Sequence, residues 1–254
     1  MPVFNTPAVL LRKLEYGDFD LILTLLSLQR GKIALIAKSA KKSTKRFAGI
    51  LELFSHLEVV ASAGRGRGLP VLQEATLISP FSSIRNDINK TAYASYWCEL
   101  INNWVEENQK QEQLFYLLKH VLNELDRGES EAAQISILFQ MKLLHLTGHG
   151  PNLRQCGRCR KNLEIILPTH IVFDIAKGAI LCDACAPGAG GRLRLSKGTL
   201  KQLIWFESGN LKKASRIRFG AQALKEGLEF LETFVPYTLG TQPQSLKFLK
   251  QIRK

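Results

Sequence analysis

The stretch LILTLLSLQRGKIALIA, residues 21–37, decides the fold of the N-terminal region. Two short apolar runs, Leu21–Leu28 and Ile33–Ala37, have the length of β-strands. The segment between them, Gln29–Lys32, is polar and contains a glycine, as a tight turn requires. The pair therefore predicts a β-hairpin, although Leu21–Leu28 taken alone is equally compatible with a helix.

Three further apolar runs accompany this hairpin in the first 80 residues: Ala8–Leu11, Leu51–Ala61 and Leu69–Ile78. The glycine-rich loop Gly64–Gly68 separates the last two. Five strands in a segment of this size are typical of a small closed barrel of the oligonucleotide-binding (OB) type. We therefore predict an N-terminal five-stranded OB-fold β-barrel.

After residue 80 the apolar residues recur with a period near 3.6, which indicates helices. The aromatic stripe of the first helix, Tyr93–Trp104, is expected to lie in the core. The third helix is apolar nearly all round and is expected to be central. The predicted helical segments are Tyr93–Trp104, Leu114–Leu125, Ile135–Leu146, one capped by Ser196 and running to Glu207, Ala223–Phe234 and Gln244–Lys254.

The fold class is therefore predicted as α+β and multidomain. The predicted division is an OB-fold domain at 1–80, a helical domain at 81–150, a cysteine segment at 151–190 and C-terminal helices at 191–254. The helices on the two sides of the cysteines are expected to pack together, which makes the cysteine segment an insertion. No apolar run reaches the roughly 18–20 residues that span a bilayer, and no secretory signal pattern opens the chain. We therefore expect a cytosolic protein without a membrane partner.

Four of the five cysteines lie in CGRCRKNLEIILPTHIVFDIAKGAILCDAC, residues 156–185, as two Cys-x-x-Cys pairs. A Cys-x-x-Cys turn directs two sulfurs at one ion, and four thiolates close the shell of a structural Zn²⁺. Apolar residues of the spacer, such as Ile165, Ile166 and Phe173, are expected to form a hairpin that joins the pairs as a zinc ribbon. Redox chemistry and catalytic zinc are the alternatives. The predicted ligands of one structural Zn²⁺ are Cys156, Cys159, Cys182 and Cys185.

The net charge of +13 favours polyanionic partners, because each neutralised phosphate releases counterions. No acidic residue occurs between Leu21 and Leu51, where basic residues accumulate. The segment AKSAKKSTKRF is predicted to be a phosphate-binding loop, and Phe47 and Phe54 are candidates for base stacking or for the core. The residues predicted to bind nucleic-acid phosphates are Lys38, Lys41, Lys42, Lys45 and Arg46, with Arg12, Arg65 and Arg67 as secondary members.

Motifs of known catalytic sites are missing from the sequence. It contains no H-E-x-x-H, G-x-x-x-x-G-K-[ST] or G-x-S-x-G. His56-Leu57-Glu58 matches the H-x-E of zinc deaminases, but no proline precedes either cysteine pair. We therefore expect a protein that is not an enzyme. A zinc-dependent nucleic-acid-modifying enzyme and an RNA- or ribosome-associated zinc-ribbon protein are the alternatives.

With these elements in order, the chain resembles the bacterial RecO family of recombination mediators over nearly its full length. The resemblance rests on LLRKLEYGDFDLILTLLSLQRGKIALIAKSAKKSTKRFAGILELF (residues 10–54), YWCEL (96–100), the cysteine pairs and PQSLKFLKQIR (243–253). Within the first segment the matching residues are Tyr16, Gly17, Asp18, Asp20, Gly31, Lys32, Ala37 and Lys38. Two departures occur: Ser39 stands where the family has glycine, and Asp18 where glutamate is more usual.

The resemblance implies an OB barrel, a helical domain and a zinc-binding segment. It also implies binding of single- and double-stranded DNA, annealing of complementary strands, and help in loading RecA onto coated single strands during recombinational repair. The implied protein partners are RecR and the C-terminal tail of single-stranded DNA-binding protein. The implied location is the bacterial cytoplasm, in association with the nucleoid.

Overall fold

A computed structural model of the protein describes residues 3–63, 68–162, 170–187, 192–208, 211 and 218–253. The fold is α+β, as predicted. The chain forms two compact units, Met1–Arg127 with Lys247–Lys254, and Gly128–Leu246. The division into four segments stays a prediction.

The first unit contains a closed barrel of five strands in the order β1-β2-β3-β5-β4. The strands are β1 (Val3–Tyr16), β2 (Asp20–Ser27), β3 (Gly31–Ala37), β4 (His56–Ser62) and β5 (Val71–Ser79). The predicted barrel and the hairpin between β2 and β3 are thereby confirmed, and a helix at Leu21–Leu28 is excluded. Apolar side chains from every strand fill the interior, including Leu10, Leu25, Leu35, Val59 and Leu72.

A β-bulge in β1 sets the direction of the side chains at one end of the barrel. Leu10 pairs with Leu25 and Arg12 with Thr24, so Leu11 is an extra residue. Partners in an antiparallel pair lie on the same face of the sheet. Arg12 therefore points away from the barrel interior, and so do Leu14 and Tyr16, two and four residues later. Lys13 and Glu15 point to the interior side at the rim.

The predicted strand Leu51–Ala61 begins later than expected, at His56. Residues 38–55 instead form a loop that includes a short 3₁₀ turn, Ala40–Lys42. Within this loop Phe47 and Leu51 belong to the barrel core. Phe54 adopts a left-handed φ of 72°, and its N–H donates to the carbonyl of Leu10 at 2.9 Å. The apolar residues that resembled a strand are therefore the ones that anchor a loop over the barrel.

Helices α1 (Ser82–Arg85), α2 (Ile88–Trp104) and α3 (Glu112–Arg127) follow the barrel in the same unit. The Asp87 carboxylate caps α2 by accepting from the N–H groups of Asn89 and Lys90. Tyr93, Tyr96 and Trp97 are buried, so the predicted core role of the aromatic stripe is confirmed for these three residues, whereas Trp104 at its end is half-buried. The last helix, α7 (Gln244–Ile252), ends beside Arg253, whose guanidinium donates to the Tyr93 hydroxyl at 3.4 Å.

The second unit contains α4 (Ala132–Leu146), α5 (Lys197–Ser208) and α6 (Ala221–Leu239). A small sheet of order β7-β6-β8 lies between α4 and α5 in sequence, with strands His170–Asp174, Ala179–Leu181 and Arg192–Ser196 for β6, β7 and β8. Helix α4 contacts both α5 and α6, so helices from the two sides of the cysteines pack together as predicted. Phe173 of β6 packs the sheet against α6. Its ring makes edge contacts with the rings of Phe230 and Phe234, at centroid distances of 4.8 and 5.2 Å.

None of the helices that the described residues form is both long and apolar enough to cross a membrane. The most apolar of them, α4, owes its character to its central position, because it is buried on nearly every side.

The hairpin turn between β2 and β3 gives a test of backbone fit. Gly31 has a φ of 69°, and a Cβ at this position would overlap the carbonyl oxygen of Gln109. We expect Gly31→Ala to lower the free energy of unfolding by more than about 2 kcal/mol, from backbone strain and overlap together. Gly17→Ala is the control, because Gly17 has a φ of 57° but nothing within 4 Å of an added Cβ. Urea unfolding with equal losses for the two variants would contradict the overlap.

A second test concerns the start of α5. The Glu226 carboxylate of α6 accepts from the Ser196 N–H at 2.8 Å and the Thr199 hydroxyl at 2.6 Å. Burial alone would raise the pKa of Glu226, but the hydrogen bonds from Thr199, Ser196 and Gln222 outweigh it and lower the pKa. Because the folded pKa lies below the unfolded one, this stabilisation is present above the unfolded pKa and is lost as the pH falls through the folded pKa.

We expect Glu226→Gln to lower the free energy of unfolding at neutral pH by about 1–2 kcal/mol, since it weakens hydrogen bonds to a charged acceptor. The difference from the wild type should shrink in acid, where the native carboxyl is protonated. The control is Glu229→Gln on the same helix, where the side chain is exposed. A loss that is the same at pH 7 and in acid would show that the charge of Glu226 is not the cause.

Candidate metal centre and nucleic-acid surface

The four predicted cysteines come together in the second unit. The Sγ atoms of Cys156, Cys159, Cys182 and Cys185 all lie within 4.8 Å of one another. Between the two knuckles, the sulfurs of Cys159 and Cys182 are 3.6 Å apart. The fifth cysteine, Cys98, is buried in α2 and lies outside the group. The predicted set is therefore assembled as one cluster that can hold a metal ion.

The first knuckle is closed by backbone hydrogen bonds. The N–H of Arg160 donates to the carbonyl of Cys156 at 2.9 Å, and the N–H of Cys156 donates to Lys161 at the same distance. Arg160 has a left-handed φ of 60°, which lets the chain reverse after Cys159. Cys156 is buried, whereas Cys159 is exposed. The first knuckle therefore joins a residue buried in the protein to one at its surface.

The strand β7 holds the two knuckles together. The N–H of Gly157 donates to the carbonyl of Ile180 at 2.9 Å. An added Cβ on Gly157 would lie 2.7 Å from the Cβ of Ala179, so this close approach requires glycine. Cys182 follows β7 directly, and its carbonyl accepts from the N–H groups of Cys185 and Ala186. The predicted hairpin joining the knuckles is formed by β6 and β7, while Ile165 and Ile166 lie outside the described residues.

The backbone polarises the buried end of the cluster. Burial alone would raise the pKa of the Cys156 thiol. Backbone N–H groups of Cys159, Cys182 and Arg158 donate toward this sulfur, however, and lower the pKa to about 6. The pKa of Cys185 is shifted in the opposite direction, to about 12. The largest cause is the hydrogen bond with the Cys182 thiol, and burial and the thiols of Cys159 and Cys156 raise the pKa further. Four sulfurs this close cannot all be thiolates unless a cation neutralises them.

The donor set fits a structural metal ion. Four cysteine sulfurs are the tetrahedral ligand set of closed zinc sites. His149, a neighbour in sequence, places its Nδ1 3.3 Å from the Thr147 hydroxyl and is not a member of the cluster. Exposed basic residues of the first knuckle, Arg158, Arg160 and Lys161, would offset the negative charge of a four-thiolate zinc site.

The lysine-rich loop, residues 38–46, is held against the turn between β1 and β2 in the first unit. Asp20 at the start of β2 accepts from Lys38 Nζ at 2.7 Å and from the Ser39 N–H at 2.8 Å. The Lys38 hydrogen bond and then that of Ser39 lower the pKa of Asp20. Ser39 has a φ of 54°, the left-handed conformation that favours glycine. The expected family glycine is thus explained by the turn, and Asp20 fixes the serine that replaces it.

Two further lysines of the loop contact the same turn. Lys41 Nζ lies 2.6 Å from the Glu15 carboxylate, and the Lys41 N–H donates to the carbonyl of Phe19. The hydrogen bond from the Lys41 ammonium to the Glu15 carboxylate lowers the pKa of Glu15. Lys42 Nζ lies over the Phe19 ring, 3.4 Å from its centroid. Lys38 and Lys41, predicted to bind phosphate, are therefore in exposed ion pairs, which are weak and open to exchange with another anion.

The remaining predicted DNA-binding residues differ in their surroundings. Lys45 and Arg12 are exposed and have no ion-pair partner within the described parts of the chain. The Arg46 guanidinium donates to the carbonyl of Lys38 at 2.8 Å and lies over the Phe47 ring. Arg65 and Arg67 fall outside the described residues. The structure thus groups the loop lysines at one end of the barrel, with Arg12 on the adjoining strand.

The aromatic candidates for base stacking are core residues. Phe47 and Phe54 are 3% and 2% exposed, so neither ring offers a face to a ligand. Sequence reasoning missed the exposed aromatics at this end of the barrel, which are Tyr16 and Phe19. The signal that points to them is their position on the two sides of Gly17 and Asp18, where a hairpin turn exposes its side chains.

His56, the histidine of the deaminase-like match, is a core residue at the start of β4. It is 3% exposed and contacts the edge of the Phe115 ring at a centroid distance of 5.8 Å. Burial, with a smaller contribution from Lys119, lowers the pKa of His56 to about 4. The imidazole is therefore neutral at physiological pH.

Comparison with known proteins gives concordant matches along the chain. The family model for the N terminal of recombination protein O matches residues 1–81, and that for its C terminal matches residues 85–247. DNA repair protein RecO of Desulfosudis oleivorans is 44% identical over 258 residues, which cover 100% of this chain and 99% of the relative. The protein of the same name from Desulfatibacillum aliphaticivorans is 44% identical over 255 residues, with 100% and 99% covered. That of Anaeromyxobacter sp. strain K is 33% identical over 244 residues, with 96% and 94% covered.

The cluster predicts a metal-dependent stability. We expect the purified protein to contain one zinc per chain, and removal of zinc by a chelator to lower the temperature of thermal unfolding. Cys182→Ser should reduce the zinc content and lower that temperature in the same way. Cys98→Ala is the matched control, because it removes a buried cysteine outside the cluster and should leave zinc content unchanged. Thermal unfolding that is unmoved by chelation would contradict a structural role.

Proposed function

The chain belongs to the RecO family of DNA repair proteins, and we propose that it is a non-catalytic DNA-binding mediator of recombinational repair. In this proposal it binds single- and double-stranded DNA and anneals complementary strands. The observation that carries the proposal is the lysine-rich loop gathered at one end of an OB barrel. The strand faces and loops of OB barrels are a common platform for oligonucleotides.

Phosphate neutralisation is the proposed source of affinity. Lys42, Lys45 and Arg12 have charges that are not paired with a carboxylate among the described residues. Lys38 and Lys41 can exchange Asp20 and Glu15 for phosphates, because exposed ion pairs in water are worth about 0–1 kcal/mol. Each phosphate contact releases condensed counterions, so affinity rests on a sequence-independent term. Such a surface accepts single strands and duplexes alike.

Annealing requires no bond to be made or broken in the protein. A basic surface reduces the repulsion between two phosphate backbones and holds the strands close while their bases pair. The product is released because contacts to phosphates are weak singly and exchange with salt ions. The protein would therefore act by concentrating strands and would not turn over a substrate.

The family resemblance supplies the proposed partners. We infer that the protein acts with RecR and binds the C-terminal tail of single-stranded DNA-binding protein. In this way it would help to load RecA onto coated strands, in the cytoplasm and at the nucleoid. The four-cysteine cluster is proposed to hold one structural Zn²⁺, since four sulfurs complete the tetrahedral shell and leave no position for a reacting water.

A charge-reversal variant tests the DNA surface. We expect Lys41→Glu, Lys42→Glu and Lys45→Glu together to weaken binding to single strands and duplexes, and to make affinity less dependent on salt. Each lost phosphate contact should reduce the slope of log K against log salt by about 0.7–0.9. The measurement is fluorescence anisotropy of labelled oligonucleotides over a range of salt concentrations.

The matched control reverses three exposed lysines on helices, Lys201, Lys225 and Lys247, and so changes the net charge by the same amount. This control should retain most of the affinity. Equal losses in both triple variants would place the effect in the overall charge and not in the loop. Tighter binding of RNA than of DNA in competition would favour an RNA-binding protein.

The function itself is tested by annealing of complementary strands coated with single-stranded DNA-binding protein, with and without RecR. We expect annealing by the wild type and its loss in the loop variant. Wild-type protein that binds DNA but never accelerates annealing would contradict the proposed role.

A further inference from the structure

Several apolar side chains at the tip of the β1–β2 hairpin are exposed. Leu14 is 46% exposed, Tyr16 54% and Phe19 41%, although other apolar residues of these strands are buried. The bulge at Leu11 is the reason, because it turns Leu14 and Tyr16 to the outer face together with Arg12. Exposed aromatic side chains grouped at a hairpin tip are a feature of interaction surfaces.

The same outer face is covered farther down the barrel. Val9 pairs with Leu26 on this face, and both are fully buried although neither belongs to the barrel core. Helix α2 of the same unit contacts β1. The outer face is therefore covered at one end of β1 and open at the other, where Tyr16 lies.

The open tip is continuous with the lysine-rich loop. The carbonyl of Phe19 accepts from the Lys41 N–H at 3.0 Å, and Lys42 Nζ lies over the Phe19 ring. Asp20, the strand partner of Tyr16, holds Lys38 and Ser39. The hairpin tip that carries the aromatic rings is therefore in direct contact with the loop that carries the lysines.

We propose that Tyr16 and Phe19 stack the unpaired bases of single-stranded DNA while the lysine-rich loop neutralises the adjoining phosphates. This inference rests on the proposed function and adds a preference for single strands to it. Residues 12–46 carry nine basic and three acidic side chains, so this surface is positively charged. A polyanion therefore fits it better than a protein surface with few acidic residues. Among polyanions, only an unpaired strand offers the open faces of its bases to aromatic rings.

The geometry predicts different behaviour for the two forms of DNA. Bases in a duplex are stacked on each other and leave only their phosphates for the loop. A single strand contacts both the loop and the rings. Loss of the rings should therefore weaken single-strand binding and leave the duplex affinity and the salt dependence of binding unchanged, because the number of phosphate contacts stays the same.

The test is Tyr16→Leu with Phe19→Leu, which removes both rings and keeps apolar side chains. Single-strand affinity should fall at least about tenfold, as expected for one or two lost stacking contacts. Duplex affinity should stay within about twofold, the scale expected where no base is stacked. An oligonucleotide that contains 2-aminopurine provides a direct reading, since stacking on the wild-type rings quenches its fluorescence and the variant should not quench it.

Two controls separate stacking from folding. Tyr16→Phe keeps the ring and should keep wild-type binding and quenching. Tyr116→Leu removes a ring that is 47% exposed on α3 and should change neither. Thermal unfolding of all variants should match the wild type, because both tip rings are exposed.

Other outcomes would overturn the inference. If the double variant binds single strands as the wild type does and still quenches 2-aminopurine, the rings do not stack bases. If it loses single strands and duplexes equally, the tip acts through the phosphates alone. Wild-type protein that binds neither form would instead refute the proposed function, and this inference with it.

Discussion

The N-terminal half depends on one constraint, which is that the long strand β1 must pair on both sides to close the barrel. Residues Val3–Val9 pair with β4 and residues Ala8–Tyr16 pair with β2, so the two ladders overlap at Ala8 and Val9. A closed barrel leaves no exposed edge, so every strand is held by two neighbours. The extra residue at Leu11 lets one strand do both, because it keeps Leu10 directed inward and turns Arg12 outward. The bulge therefore connects the packing of the core with the character of the outer surface.

The lysine-rich loop illustrates how a mobile-looking segment is ordered. Its residues are small, polar or basic, yet Phe47, which follows it directly, and Leu51 farther along the chain are part of the barrel core. At its start, Asp20 accepts from the backbone of Ser39 and holds the Lys38 ammonium. The loop is thus fixed at both ends, by burial on one side and by charged hydrogen bonds on the other. A basic surface held in this way loses less conformational entropy when it binds an anion.

The cysteine cluster has a different physical task. Its knuckles are positioned by backbone hydrogen bonds through Gly157 and β7, and the buried sulfur of Cys156 receives several N–H groups. Those donors favour thiolate, and thiolates at such distances repel unless a cation lies between them. Within the described residues of the second unit, the sheet at the cluster is short and three-stranded. A metal ion bound by the four sulfurs would supply cohesion that a small apolar core could not.

The sequence by itself determined the features that depend on local pattern. Strand and helix periodicity, the helix cap at Ser196 and the cysteine spacing follow from residues close together in the chain, so the barrel, the helices and the cluster were all predictable. Tertiary structure decided the rest. The sequence predicts that a strand begins at Leu51. In the structure Leu51 lies in a loop, and its side chain packs in the barrel interior. The sequence left Phe47 and Phe54 as candidates for base stacking or for the core, and the structure buries both, while Tyr16 and Phe19 are exposed. The burial of Phe47 and Phe54, and the choice of which lysine faces a carboxylate, depend on how distant segments pair and pack, and no local pattern contains that information.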